Sequence, residues 1–307
     1  MLVRASRVAL VLALLMAGSV LAGCQSRFGN LRLTIAAGNT DGVYYPIARK
    51  LSGIWADQMD IPVPRVLHTA GSTQNIGLLD DGSADIAFSS ADAVPATGAG
   101  KLRALARIYD DYIQVVVRAD APITSLAGLA GHRVSIGEPD SQVTLVAQRI
   151  LQVAGVHGMT SVRLGVNDSI SALRAGRIDA FFWSGGLATG SITALSKTTP
   201  IRLLDLSGVA QAMHDKYPVY DTAVVPAGTY GLHRQVTTIT VPNFLLVTDR
   251  MPDDVAQALV SGLFSATDVL AGVNPHAALG IDIHNAIFTG PVPLHPGAVT
   301  YYRNAKI

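Results

Sequence analysis

Residues 31–55 read LRLTIAAGNTDGVYYPIARKLSGIW: a short apolar run, a turn between two glycines and an amphipathic segment. The apolar run at 31–37 predicts a β-strand. In the segment that follows, Tyr44, Ile47, Leu51 and Trp55 recur every three or four residues, which places them on one face of a helix. A strand that leads through a tight turn into a helix is the first part of a β–α–β unit. This stretch therefore predicts an α/β fold with mostly parallel strands.

The same series of elements occurs twice along the chain. Further strands are predicted at 63–68 and 84–88, and a second series begins with a strand at 132–136 and a helix at about 142–154. Two strands, 102–108 and 112–118, with a polar turn at Asp110-Asp111 between them, are predicted to join the two series. We therefore expect two α/β lobes. Residues 31–120 and 225–307 form the discontinuous first lobe, and residues 121–224 form the second.

The last third of the chain supplies the closing elements. Residues 236–247 are apolar and β-rich, but Pro242 interrupts them, which favours an extended connection over a central strand. Residues 253–270 carry the clearest helical pattern and follow Pro252. The Pro- and Gly-rich end, 289–307, is expected to pack along the first lobe.

The N-terminus resembles a bacterial lipoprotein signal. Arg4 and Arg7 precede an apolar stretch, and Leu21-Ala22-Gly23-Cys24 is similar to the lipobox, in which the cysteine is acylated and becomes the mature N-terminus. This predicts a signal peptide at 1–23, lipidation at Cys24 and a tether at 24–30, with the protein held by lipid at the outer face of a bacterial membrane. The alternatives are a plain secretory signal or an uncleaved anchor, since residues 8–26 carry no charge.

The composition excludes several functional classes. The 23 Lys and Arg residues nearly balance the 22 Asp and Glu residues, whereas a nucleic-acid-binding protein needs a basic face. A single cysteine allows neither an intrachain disulfide nor a thiolate zinc site. Nucleophile-elbow, P-loop and HExxH motifs are missing from the sequence, and His276, His284 and His295 are irregularly spaced. We therefore expect no catalytic residues, no cofactor, no metal and no nucleic-acid partner.

Three predicted strand-to-helix turns favour the binding of a small anion. The segments 38–44, 69–75 and 137–141 each place backbone N–H groups and hydroxyls at a helix N-terminus, where a carboxylate binds well. The alternative is that Ser72 and Ser141 only cap their helices. Asp92 either caps a helix or contacts ligand. Residues 181–183 form either core or a cleft wall.

These turns also carry a family resemblance. The run AGNTDGVYYP at 37–46 resembles the opening motif of the TAXI proteins, the solute-binding subunits of one branch of the tripartite ATP-independent periplasmic (TRAP) transporters. Further similar segments follow in the same order at 69–75, 84–88, 178–186, 226–230, 241–243 and 293–302. The resemblance departs at 137–143, GEPDSQV, where the family commonly has Gly-x-x-Gly-Ser-Gly-Thr. Asp140, Gln142 and Val143 therefore change the expected shape and polarity of the pocket.

The resemblance implies a type II periplasmic-binding-protein fold, with two α/β lobes and a ligand cleft at the hinge. It also implies a TRAP permease partner driven by an ion gradient, and a small carboxylate ligand such as glutamate, glutamine or a related dicarboxylate. The near-neutral charge, with no evident apolar stripe beyond the core, makes a monomer the expected state. Nine residues are the expected ligand contacts: Asn39, Tyr44, Ser72, Asn75, Ser90 and Asp92 from the first lobe, with Gly137, Ser141 and Trp183 from the second. The alternatives are a subunit of an ATP-driven importer, a ligand-sensing lipoprotein, or an exported transferase on the same scaffold.

Overall fold

The computed structural model describes residues 27–40, 42–95, 97 and 99–307. The predicted signal peptide (1–23) and the predicted lipidation site Cys24 lie outside these residues. Among the helices of the described part of the chain, none combines the length and the apolar character needed to cross a bilayer.

Strands and helices alternate along most of the described chain. The strands are β1 (Thr34–Gly38), β2 (Arg65–His68), β3 (Ile86–Ser90), β4 (Leu102–Arg118), β5 (Arg133–Ser135), β6 (Thr160–Val162), β7 (Ala180–Gly185), β8 (Ile201–Leu203), β9 (Asp221–Val225) and β10 (Val236–Thr248). The helices are α1 (Tyr44–Met59), α2 (Ser72–Asp80), α3 (Gln142–Val153), α4 (Val166–Arg174), α5 (Gly190–Ser196), α6 (Ser207–Lys216), α7 (Asp253–Ser265), α8 (Thr267–Ala271), α9 (Pro275–Gly280) and α10 (Pro296–Asn304). Short 3₁₀ helices cover Ala91–Ala93, Ala127–Leu129 and Thr229–Gly231.

The strands form a mixed sheet that runs through two lobes, as the sequence predicts. Its order is β2-β1-β3-β10-β4-β7-β5-β6, with β8 beside β4 and β9 beside β10. In the first lobe, β1 is parallel to both β2 and β3, and in the second lobe β5 is parallel to both β6 and β7. Each lobe therefore has the β–α–β arrangement, in which the carboxyl ends of parallel strands face one edge.

Two long antiparallel strands join the lobes. One part of β10 pairs with β3 of the first lobe, and residues 236–240 pair with β9. Likewise, residues 112–117 of β4 pair with β7, while its earlier part pairs with β10 and, at Ala104, bridges to Leu294 of the C-terminal segment. The pairing changes lobe near residues 111 and 241. The lobe limits given by the sequence, 31–120 with 225–307 and 121–224, remain a prediction.

The predicted polar turn at Asp110-Asp111 was wrong, because β4 continues through it as a single strand of 17 residues. Both acidic side chains are accommodated within the strand, without a turn. Asp110 is half-buried and accepts two hydrogen bonds from the Arg107 guanidinium, at 2.7 and 2.8 Å. Asp111 instead points into a cavity between the lobes.

The prediction that residues 236–247 form an extended connection was also wrong, because β10 is central in the sheet, between β3 and β4. Pro242 pairs with Asp110 and Phe244 with Arg107, so the register shifts at this point and one residue of β10 faces two of β4. A β-bulge tolerates a residue without an N–H group, which is how the proline fits inside the sheet.

The C-terminal segment packs along the first lobe, as expected, although its helix α10 was not predicted. The Tyr302 hydroxyl donates to the Leu105 carbonyl of β4 at 2.9 Å, and Tyr302 is buried. Helix α1 lies on the same side of the sheet, where Trp55 Nε1 donates to the Leu259 carbonyl of α7 at 3.0 Å. These contacts fix α1, and with it the turn that precedes it, against the sheet.

Candidate ligand-binding site

A cavity lies between the lobes, at the carboxyl ends of the parallel strands. The space between its walls, including the part open to solvent, is about 660 Å³. Its walls are Gly38, Asn39, Gly42, Val43, Tyr44, Ala70, Gly71 and Ser72 from the first lobe, and Gly137, Glu138, Ser141, Gln142, Val143, Leu164, Gly165, Val166, Phe182, Trp183, Ser184 and Gly185 from the second. Tyr109 and Asp111 of the joining strand β4 form its floor.

Four helices begin at this cavity, two from each lobe. Helices α1 and α2 start at Tyr44 and Ser72, and helices α3 and α4 start just after Ser141 and Gly165. The first N–H groups of a helix have no partner within the helix, and the helix dipole places partial positive charge there. Among the described residues that line the cavity there is no lysine or arginine. The favourable sites for a negative group are therefore the helix ends.

Tyr44 connects the first turn to the floor. Its hydroxyl donates to Asn243 Oδ1 and lies 3.4 Å from the Ser72 hydroxyl, while its ring packs on Phe88 and Tyr109 with centroid distances of 5.4 and 6.2 Å. Burial raises the pKa of Tyr44 well above its ordinary value. The group therefore stays a neutral donor and acceptor at any physiological pH.

Ser72, Ser90 and Asp92 form a chain of hydrogen bonds that leads away from the cavity. Ser72 Oγ accepts from the Ser90 N–H at 3.0 Å, and the Ser90 hydroxyl donates to Asp92 Oδ1 at 2.6 Å. Of the three, Ser72 alone lines the cavity. Ser90 and Asp92 lie behind its wall, buried and fully engaged with protein groups.

Asn75 also lies behind the wall. Its Nδ2 donates to the carbonyls of Ala37 and Phe88 at 2.6 and 2.7 Å, and its Oδ1 accepts from the Thr69 hydroxyl at 2.6 Å. These bonds tie the ends of β1 and β3 to the start of α2, so Asn75 fixes the shape of the turn that Ser72 presents to the cavity.

The second-lobe turn keeps the backbone of a glycine-rich loop. Gly137 has a φ of 93°, and a Cβ added there would lie 2.8 Å from the Val143 Cβ, so a side chain does not fit. Asp140, which replaces a common glycine, also keeps a left-handed φ of 59°, a conformation that aspartate tolerates better than most residues. Ser141 caps α3 by accepting from the Thr144 N–H at 3.2 Å, so its capping role is real and it also lines the cavity.

Gln142, the second residue at which the sequence departs from the TAXI pattern that it resembles, connects the lobes. Its Nε2 donates to Asp92 Oδ2 at 2.9 Å, and the Tyr220 hydroxyl donates to the same oxygen at 2.7 Å. Arg149 Nη1 lies 4.0 Å from Asp92 Oδ2 and donates to the Tyr220 hydroxyl at 2.9 Å. Asp92 is therefore the first-lobe end of a contact with α3 and with the segment before β9.

Trp183 forms one side wall. Its Nε1 donates to the Thr189 hydroxyl at 2.9 Å, and a Cβ at Gly185 would lie only 2.7 Å from that nitrogen, so the glycine makes room for the indole. The far edge of the ring reaches the first lobe, where a Cβ at Gly42 would lie 3.7 Å from Cη2. Trp183 thus contacts both lobes at the mouth.

The floor contains two polar groups that the sequence analysis missed. Asp111 is 5% exposed, and burial raises its pKa to about 7, since this effect exceeds the lowering by the neighbouring Asn243 amide and Ser184 hydroxyl. Ser184 donates to Oδ2 at 3.3 Å, but in the described structure no aligned donor reaches Oδ1. The buried hydroxyl of Tyr109 likewise has no partner there. The available signal was an acidic pair between two segments that the sequence predicts as strands, and it was assigned to a turn.

Comparison with known proteins places the chain in a family. A match to the NMT1-like family extends over residues 35–305. The chain belongs to the NMT1-like family.

Solved structures show that the fold of this NMT1-like protein is that of periplasmic solute-binding proteins of type II. It is similar to XAC2383 from Xanthomonas citri bound to ATP (17% identity, 89% of this chain and 94% of that one, TM-score 0.52). It is also similar to a putative L-cystine ABC transporter from Listeria monocytogenes (14% identity, 83% of this chain and 98% of that one, TM-score 0.52). A third similar structure is the periplasmic aliphatic sulphonate binding protein SsuA from Escherichia coli (16% identity, 89% of this chain and 82% of that one, TM-score 0.50). At these identities the likeness concerns the fold.

The structure brings together six of the nine predicted contacts of this NMT1-like protein. Asn39, Tyr44, Ser72, Gly137, Ser141 and Trp183 line the cavity, whereas Asn75, Ser90 and Asp92 support its wall from behind. In the described residues no group of three or more His, Cys, Asp or Glu side chains is arranged to hold a metal ion.

Proposed function

We propose that the protein is an extracytoplasmic solute-binding lipoprotein that delivers a small carboxylate to a TRAP-type permease. The observation that supports a carboxylate ligand is the meeting of four helix N-termini, two from each lobe, at one cavity whose described lining has no cationic side chain. Backbone N–H groups at such ends bind carboxylates well.

The same arrangement supports a role in delivery. A ligand held by helix ends of both lobes makes its full set of contacts only when the lobes are together, so it shifts the population toward the closed form. A membrane permease that recognises the closed form would then receive loaded protein in preference to empty protein. Anchoring through Cys24 would keep the protein at the membrane surface.

A ligand screen tests the carboxylate. Purified protein is unfolded and refolded to remove bound solute, and its melting temperature is measured with L-glutamate, L-glutamine, 2-oxoglutarate, succinate, branched-chain amino acids and phosphate. A ligand at 100 times its Kd adds about 2.7 kcal/mol of stability, which raises the melting temperature of a chain of this size by about 5–10 °C. A panel in which no carboxylate raises the melting temperature would contradict the proposal.

The class of permease needs its own test, since an ATP-driven importer uses the same two-lobed fold. The TAXI-like segments at 37–46 and 293–302 support the TRAP class. With the cognate permease in proteoliposomes, we expect solute uptake that follows an imposed Na⁺ gradient without ATP. Uptake that requires ATP would assign the protein to an ABC importer.

The lipid anchor is tested separately. Labelled palmitate should be incorporated into the wild-type protein in cells and not into Cys24→Ala. Equal labelling of both would contradict lipidation at this residue.

A further inference from the structure

The floor of the cavity carries negative charge that the proposed carboxylate does not need. Asp111 is buried, one of its oxygens has no aligned donor, and the Tyr109 hydroxyl beside it in the cavity lining is also buried without a partner. A buried polar group without a partner costs free energy, so a site of this kind is built for a group that arrives with the ligand. The chain's own donor near Asp111 is Asn243 Nδ2, which lowers the pKa of Asp111 but is itself buried without an aligned partner, so it does not satisfy Oδ1. A ligand group that completes this floor therefore donates hydrogen bonds, because a carboxylate only accepts them.

The charges around the cavity also limit which ligands fit it. The described lining contains the carboxylates Asp111 and Glu138 and no lysine or arginine. A dicarboxylate would therefore bring two negative charges next to Glu138 and, above about pH 7, next to an ionised Asp111, with no lysine or arginine in the described lining to offset them. A ligand that brings its own positive charge avoids this repulsion.

We propose that the floor formed by Asp111 and Tyr109 binds an ammonium group, so that the ligand is an α-amino acid with an uncharged side chain. This inference rests on the proposed function, because the helix N-termini hold the carboxylate of the same ligand. The ammonium donates to Asp111 Oδ1 and to the Tyr109 oxygen. The side chain lies against Val143, Leu164 and Phe182, which make this part of the wall apolar.

The test compares amino acids with the acids that lack their amine. Binding of L-glutamine, L-leucine, glutaramate and 4-methylpentanoate to the full chain is measured by calorimetry at pH 8, with succinate and 2-oxoglutarate as dicarboxylate references. We expect at least one of the two amino acids to bind about 100-fold more tightly than its deaminated analogue, since removing one partner of a buried charge pair leaves the other unpaired.

Variants test whether Asp111 and Tyr109 cause the preference for amino acids over their deaminated analogues. In Asp111→Asn the amino acid is expected to lose about 100-fold in affinity while its deaminated analogue loses little, and in Tyr109→Phe the loss is about 10-fold. Asp110→Asn is the matched control, because Asp110 is adjacent in sequence but pairs with Arg107 outside the cavity. The control is expected to bind as the wild type does.

Each outcome bears on the inference. If the deaminated acids or dicarboxylates bind as tightly as the amino acids, or if Asp111→Asn keeps its affinity for the amino acid, the floor does not bind an ammonium group, yet carboxylate delivery still stands. If no carboxylate of any kind binds the wild type, both proposals are overturned. Should Asp111→Asn fail to fold, the comparison of ligand pairs on wild type and Tyr109→Phe decides.

Discussion

At the scale of single residues, Asp111 links the chemistry of the site to the stability of the fold. Burial raises its pKa to about 7, and the carboxylates of Asp92 and Asp110 act in the same direction. The hydroxyls of Tyr44 and Tyr109 face it and stay neutral, because burial raises their pKa as well. In the unfolded chain an aspartate titrates near a pKa of about 3.9, so the folded protein holds a proton that the unfolded chain releases.

The higher pKa of Asp111 in the folded protein makes the stability of the fold depend on pH. The destabilising effect of Asp111 is absent below about pH 4 and grows as the pH rises to about 7. Unliganded Asp111→Asn should therefore be more stable than the wild type at pH 8, by on the order of 3 kcal/mol. This advantage should fall below about 1 kcal/mol at pH 4.5.

Urea denaturation at several pH values measures the difference. Asp110→Asn controls for the loss of one carboxylate in the same strand. An advantage of Asp111→Asn that is constant with pH, or that grows as the pH falls, would show that Asp111 is not held in a raised-pKa environment.

Gly137 gives the second prediction. An alanine at this position would place its Cβ within 2.8 Å of the Val143 Cβ and within 3.0 Å of the Thr144 nitrogen. Gly137→Ala should lose about 2–4 kcal/mol of unfolding free energy and weaken ligand binding, because the turn must move away from the cavity. Gly131→Ala is the control: its φ is 80°, similar to the 93° of Gly137, but nothing lies within 4 Å of the added Cβ. Equal losses in the two variants would mean that crowding has no part in the effect.

At the scale of elements, the contact between α3 and Asp92 couples the lobes. Gln142→Ala removes the hydrogen bond from α3 to Asp92 Oδ2 and leaves the bond from Tyr220. We expect ligand affinity to fall about 5- to 10-fold, since a hydrogen bond to a charged group contributes about 1.5 kcal/mol and this one forms only when the lobes meet. Gln148→Ala, an exposed position on the same helix, should leave affinity unchanged. Small-angle X-ray scattering should show a larger unliganded radius of gyration for Gln142→Ala alone.

The elements themselves were predictable where the local pattern agreed with the tertiary structure. The unit from β1 to α1 followed from apolar spacing, because both elements bury the residues that define their period. The two failures, at Asp110-Asp111 and at Pro242, occur where the joining strands pass beneath the cavity. Local propensity disfavours acids and proline in a strand, but the partner strand, the bulge and the cavity supply what propensity cannot show.

The candidate site was predictable to a similar degree. The turns that precede helices are visible in sequence, so Tyr44, Ser72 and Ser141 were found. Asn75 and Asp92 have the same polar character but point away from the cavity, and no local pattern distinguishes the two directions. Tyr109 and Asp111 were missed because their role depends on two strands distant in sequence.

At the scale of the whole molecule, the two tryptophans report on different regions. Trp55 is fully buried in the first lobe, whereas Trp183 lies at the mouth of the cavity and reaches the other lobe. We expect ligand to change the fluorescence of the wild type, and we expect Trp183→Phe to lose that change even at ligand concentrations that saturate it by calorimetry. A full signal in Trp183→Phe would mean that binding reorganises the first-lobe core instead of the mouth.

The joining strands, β4 and β10, also determine which part of the cavity contacts a ligand first. Asp111 lies where the pairing of β4 changes from one lobe to the other, so we expect a hinge axis between the lobes to pass near it. A point near a hinge axis moves little when two lobes turn, so we expect Asp111 to keep almost the same position in the open and the closed form. Asp111 would therefore contact an arriving solute while the lobes are still open. Discrimination between solutes would then come before closure of the lobes.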